Sequence, residues 1–81
     1  MVVDDTHRRE ILTQFGLRVR HIRTERKLSQ EQLAGLGEFD RTYISLVERG
    51  KRNISLTNLV RLARALGVPP ETLLKDIGDA A

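Results

Sequence analysis

The chain has 81 residues, no cysteine, three aromatic side chains and an apolar fraction of 40%, which fits one domain with an aliphatic core and excludes disulfides, thiolate metal sites and a thiol nucleophile. No apolar run is long enough to cross a bilayer, and the N-terminal MVVDDTHRR lacks the apolar centre of a signal peptide, so a cytoplasmic protein with no membrane contact is expected. The net charge of +3 rests on fourteen basic residues, eleven of them arginine, the side chain best suited to bidentate contacts with phosphate and guanine.

Residues 1–5 are expected to be frayed. A first helix is predicted over about 6–27, with Phe15, Val19 and Ile22 at i, i+4 and i+7 on its inner stripe and Arg18, Arg20 and Glu25 outside. Gly16 is a weak helix former in its middle, which leaves a start nearer Thr13 open. The next stretch, LSQEQLAGLGEFDRTYISLVERG from Leu28 to Gly50, reads as two short helices joined by a tight turn. Ser29 followed three residues on by Gln32 has the form of a capping box. A helix over about 30–36 then buries Leu33, Ala34 and Leu36, and the pattern breaks at Gly37-Glu38. Asp40 offers a cap for a third helix over about 41–49, with Ile44 and Val47 inward, Arg41, Thr42, Tyr43 and Ser45 outward, and Gly50 as its stop.

The linker GKRNI that follows is short, basic and polar. Ser55 caps a fourth helix over 56–66, whose Leu59, Leu62, Ala63 and Leu66 face inward and which Gly67 closes. The Pro69-Pro70 pair opens a last helix ending around Ile77, and 78–81 is a tail. No strand-like alternation, repeat or low-complexity segment interrupts this pattern, so the class is all-α. Between Arg41 and Arg64 six basic residues (Arg41, Arg49, Lys51, Arg52, Arg61, Arg64) stand against the single acid Glu48. That asymmetry points to a polyanionic partner.

The set SQEQLA, RTYISLVERG and RNISLTNLVRLARALGV resembles the lambda-repressor-like helix-turn-helix family, also called the XRE family, over residues 15–77. The RTYIS and RGKRNIS segments are similar in particular to the controller proteins of restriction-modification systems. The resemblance implies one compact five-helix domain over 1–81, with the helix-turn-helix at about 29–49 and no cofactor. It implies a homodimer that binds a pseudo-palindromic operator in double-stranded DNA and regulates transcription, in the controller branch of its own gene and of the endonuclease gene. An activator would have RNA polymerase as a further partner, and no residue can be assigned to that contact. A phage or plasmid repressor, or an antitoxin-like regulator, uses the same fold and reading head.

The resemblance also carries residue roles. Gln30 holds the first position of the second helix, where relatives bond a phosphate, and free amides at a helix N-terminus suit an anion. Arg41 and Thr42 begin the helix that enters the major groove, so Arg41 is expected to take a guanine bidentately and Thr42 to touch a thymine methyl or a phosphate. Tyr43 either reaches the DNA or packs on its own helix, and Ser45 faces the same side. Arg49, Lys51, Arg52 and Asn53 are placed to grip the flanking phosphates. The family pairs the glutamate at 48 with an arginine of the first helix, here Arg23, as a structural ion pair. Glu38 departs from the pattern, which has glycine or asparagine there in a left-handed turn; glutamate in that conformation costs about 1 kcal/mol, and a shift of the turn onto Gly37 would relieve it. Of the apolar residues in the last quarter, Val68, Leu73 and Ile77 are expected at a dimer interface, and Leu66 and Leu74 in the core.

An enzyme is not expected. His7 and His21 lie fourteen residues apart on the first helix and form no metal-ligating or acid-base set, so neither a catalytic residue nor a metal site is assigned. A protein-binding adaptor on this fold would present an acidic or apolar face on the third helix, where Arg-Thr-Tyr stands instead.

Overall fold

Apolar residues at helical spacing drive five segments into helices whose inner stripes share one core. The computed structural model describes residues 5–79. They form α1 (Asp5–Glu25), α2 (Gln30–Gly37), α3 (Arg41–Glu48), α4 (Leu56–Leu66) and α5 (Pro70–Leu74), and no strand occurs among them. Phe15, Val19 and Ile22 of α1, Leu33 and Ala34 of α2, Ile44 and Val47 of α3, Leu59, Leu62, Ala63 and Leu66 of α4 and Leu73 of α5 are all buried together. Among the described residues no helix is long and apolar enough to cross a membrane.

The caps explain most of the boundaries. Ser29 Oγ accepts from the Gln32 amide at 3.0 Å while Gln32 Oε1 accepts from the Ser29 amide at 2.8 Å, the reciprocal pair expected there. Ser55 Oγ accepts from the Asn58 amide at 3.2 Å and starts α4. Asp40 has the extended backbone of an N-cap but makes no side-chain cap bond, so its expected role is not filled. The first helix ends at Glu25 rather than Lys27, because Lys27 turns left-handed (φ 58°) and the Leu28 amide reaches back to the Arg23 carbonyl at 3.1 Å.

Other expectations need correction. Asp5, expected in a frayed start, is already helical; residues 1–4, 80 and 81 lie outside the described residues. Gly78, expected in the tail, is tied down, its amide donating to Gln14 Oε1 at 3.0 Å. Leu36 is 61% exposed rather than buried. At about 100° per residue Gly37, not Leu36, falls between Leu33 and Ala34 on the inner stripe. Leu73 and Leu74 exchange places: Leu73, expected at a dimer interface, is fully buried in the core, whereas Leu74, expected in the core, is 47% exposed. The last helix is also shorter than expected. Arg18, placed outside by its sequence position, is half-buried, and its Nη1 and Nη2 donate to the carbonyls of Thr72 (2.6 Å) and Lys75 (2.9 Å). Those acceptors are then held by α1, and Asp76 turns left-handed at φ 63°.

The turn after α2 stays where the family pattern puts it. Glu38 is left-handed (φ 58°, ψ 43°) and Gly37 remains helical, so no shift relieves the glutamate. Glu38→Gly is therefore expected to stabilise the protein by about 0.5–1 kcal/mol, the steric relief exceeding the added freedom of the unfolded chain. Chemical denaturation midpoints of the two proteins check this, and an unchanged or lower midpoint would contradict it.

Gly16 has a reason its sequence position did not reveal. A Cβ built there would lie 2.5 Å from both the Val47 and the Glu48 carbonyl oxygens. The backbone of α1 thus touches the C-terminal end of α3 directly, and this contact sets how α3 is presented.

Candidate nucleic-acid interface

The unit formed by α2, the turn at 38–40 and α3 is locked to the rest of the fold from below. Glu48, 7% exposed at the end of α3, accepts from Arg23 Nε at 2.6 Å and Nη2 at 3.0 Å, a two-pronged pair with α1. Its Oε1 also accepts from Gln30 Nε2 at 3.1 Å, and Arg23 Nη1 donates to the Leu28 carbonyl at 2.8 Å. One carboxylate therefore joins α1, α2 and α3. No buried side-chain nitrogen or oxygen among the described residues lacks a partner, so the desolvation cost of this pair is compensated as far as hydrogen bonding allows.

On the outer face, Arg41 and Thr42 are exposed on the first turn of α3, and neither side chain makes a hydrogen bond or ion pair to the described residues. Tyr43 is half-buried, stacked on Phe39 with ring centroids 5.3 Å apart and planes 13° from parallel. Ser45 is half-buried, and its carbonyl accepts from the Arg49 amide at 3.1 Å and from Arg49 Nε at 3.3 Å. Lys51, Arg52 and Asn53 are exposed in the non-helical linker between α3 and α4, whose backbone begins at Gly50 with φ 72°. The Arg52 guanidinium carbon lies 5.8 Å from the Tyr43 ring centroid, which brings the linker back over α3. Arg41, Thr42, Tyr43, Ser45, Arg49, Lys51, Arg52 and Asn53 thus belong to α3 and the segment after it, while Gln30 stands at the start of α2 and is tied to Glu48 at the end of α3.

Two placements differ from a simple count of charges. Gln30 is not a free polar residue at a helix start, since one amide hydrogen is committed to Glu48. Arg61 is exposed, yet its guanidinium is committed within the fold: it donates to the Gly37 and Glu38 carbonyls and to Asn58 Oδ1, and lies over the Phe39 ring at 4.4 Å. It acts as a C-cap for α2 from a distance of 24 residues in sequence. Asn58 was not singled out from the sequence, yet its Nδ2 donates to the Tyr43 hydroxyl at 3.1 Å. Its spacing of three from Arg61 on one helix face signals only the bond between those two side chains and not the one to Tyr43. Val68 and Ile77 are half-buried, and Val68 packs against the core.

Comparison with known proteins gives this geometry a context. The model of the family HTH_3, helix-turn-helix, matches residues 19–73. The chain is 51% identical over 61 residues to the control protein C.BamHI of Bacillus amyloliquefaciens, which covers 74% of this chain and 75% of the relative. It is 42% identical over 69 residues to the control protein C.MunI of a Mycoplasma species, 84% of this chain and 93% of the relative. Among solved structures, the restriction-modification controller protein C.AhdI from Aeromonas hydrophila matches with a TM-score of 0.76 and 52% identity, over 76% of this chain and 94% of that one. The controller protein C.Esp1396I, solved as a tetramer in complex with its natural 35 base-pair operator, matches with a TM-score of 0.74 and 35% identity, over 83% of this chain and 93% of that one. With restriction-modification control proteins among its relatives, the chain belongs to this helix-turn-helix family of DNA-binding transcriptional regulators, which are not enzymes.

Proposed function

We propose that the chain is a controller protein of a restriction-modification system: a cytoplasmic, single-domain homodimer that binds a pseudo-palindromic operator and regulates its own gene and that of the endonuclease. The observation that carries this is the exposed first turn of α3, where neither Arg41 nor Thr42 makes a side-chain hydrogen bond or ion pair to the described residues, followed by an exposed basic linker whose Arg52 lies over the Tyr43 ring of the same helix. In a symmetric dimer the two copies of α3 would enter successive major grooves about 34 Å apart. Arg41, Thr42, Tyr43 and Ser45 then face the bases, and Gln30, Arg49, Lys51, Arg52 and Asn53 the phosphates. Val68, Ile77 and the exposed Leu74 form the apolar surface by which two copies meet.

Selection of bound duplexes from a random pool tests this reading. Enriched sites with two inverted halves centred about 10 base pairs apart support a sequence-reading dimer. Binding that fades with salt and enriches nothing contradicts it. Arg41→Ala is expected to cost about 1–3 kcal/mol on the selected site and to relax preference at one base pair per half-site, whereas Arg52→Ala weakens specific and random DNA alike and lowers the salt slope by about one per lost contact. Equal weakening by Arg41→Ala on all sequences would move that residue to the phosphate set. Transcription in vitro with purified RNA polymerase on the selected operator then distinguishes activation from repression.

A further inference from the structure

A guanidinium carries donors only. Arg61 Nη2 donates to the carbonyls of Gly37 at 2.7 Å and Glu38 at 2.9 Å, and Nη1 donates to Asn58 Oδ1 at 3.1 Å. That last bond decides which way the Asn58 amide faces, because the flipped amide would set N–H against N–H. With its oxygen on Arg61, Asn58 turns its amino group to Tyr43, where Nδ2 lies 3.1 Å from the phenolic oxygen. A phenol has a single O–H hydrogen. Since its oxygen accepts from Asn58, that hydrogen is directed elsewhere, and the hydroxyl makes no other hydrogen bond to the described residues. The ring itself is held by the stack on Phe39, over which Arg61 also lies, with Arg52 on the Tyr43 ring. One arginine of α4 thus orders both the ring pile and the amide.

We infer that Asn58, oriented by Arg61, is a positioning residue that holds the Tyr43 hydroxyl as a hydrogen-bond donor toward DNA. Its partner is then an acceptor, either a phosphate oxygen or a base-edge N7, O6 or O4, and not the amino group of adenine or cytosine. This rests on the reading of α3 as the DNA-contacting helix.

Asn58→Asp tests it, because the nearly isosteric carboxylate keeps an oxygen for Arg61 but replaces the donor with a second acceptor. The phenol must then donate inward, leaving nothing for DNA. The new negative charge also opposes DNA, so the substitution is made both in the wild-type chain and in Tyr43→Phe, where only the charge effect remains. Dissociation constants for the selected operator are measured at fixed salt, with thermal melts of each protein. Tyr43→Phe is expected to weaken binding about fivefold, and Asn58→Asp to weaken it about fivefold more with Tyr43 present than in its absence. Asn58→Ala, which untethers the hydroxyl without adding charge, provides a second cycle with the same expected sign. Equal losses in the two backgrounds, or wild-type affinity in Tyr43→Phe, would overturn the inference. A loss shared by all sequences assigns the acceptor to a phosphate, and a loss confined to one base pair assigns it to a base edge. A wild-type protein that selects no operator would fail at the earlier step and refute the DNA-binding reading itself.

Discussion

Gly16→Ala is expected to destabilise the protein by about 3 kcal/mol, against the helix-propensity gain of up to about 1 kcal/mol that the same change brings at an open helical site. The added methyl would sit 2.5 Å from two main-chain oxygens, those of Val47 and Glu48. Neither can move out of the way alone. Val47 is buried in the core, and Glu48 is held by two bonds from Arg23 and one from Gln30. Relief therefore requires α1 and α3 to separate as bodies, which opens the packing around Val19 and Ile44. For a chain of this length the loss corresponds to a fall of roughly 15 °C in Tm. Thermal and urea unfolding measure it, and a rise in stability would show that the two helices are free to part.

The second large effect is expected at Glu48. Glu48→Ala leaves the Arg23 guanidinium, whose side chain is 11% exposed, with only the Leu28 carbonyl, and leaves the Gln30 amide without its acceptor. Stranding a buried charge in this way costs about 3–5 kcal/mol. The net worth of the intact pair is smaller, since desolvation of both ions offsets much of their attraction. A double variant, Arg23→Met with Glu48→Leu, is accordingly expected to lie nearer wild type in urea unfolding than either single change. A double variant as unstable as the sum of the two would mean zero coupling between Arg23 and Glu48, so that each residue acts through its other contacts rather than through the pair.

The helices were legible because their signals are local. Ser29 with Gln32 and Ser55 with the Asn58 amide are caps formed within four residues of sequence, and the stripes on α1 and α4 follow from spacing alone. Leu36 was misplaced against its own helical phase, but the other misplaced features depend on what a residue meets across the fold. Gly16 looked like a weak point because propensity describes an isolated helix, whereas its value lies in the approach of another backbone. Leu73 and Leu74 are adjacent and chemically identical, so only the orientation of a five-residue helix tells them apart. Arg18 and Arg61 gave no local sign of their carbonyl partners, which lie 54 and 24 residues away. The exposure of Arg41 and Thr42 was evident from the periodicity of α3, whereas Tyr43 and Ser45, expected outward with them, are half-buried. The support of Tyr43 by Asn58 was not evident, since a side chain bonding across 15 residues leaves no mark in local pattern.

The way α5 is fastened bears on how the molecule tolerates change. Arg18 holds that helix by the Thr72 and Lys75 carbonyls, oxygens that every amino acid supplies. The attachment is therefore blind to which side chains stand at those two positions. A lineage could rewrite the outer surface of its C-terminal end while α5 stayed fastened to α1 as before.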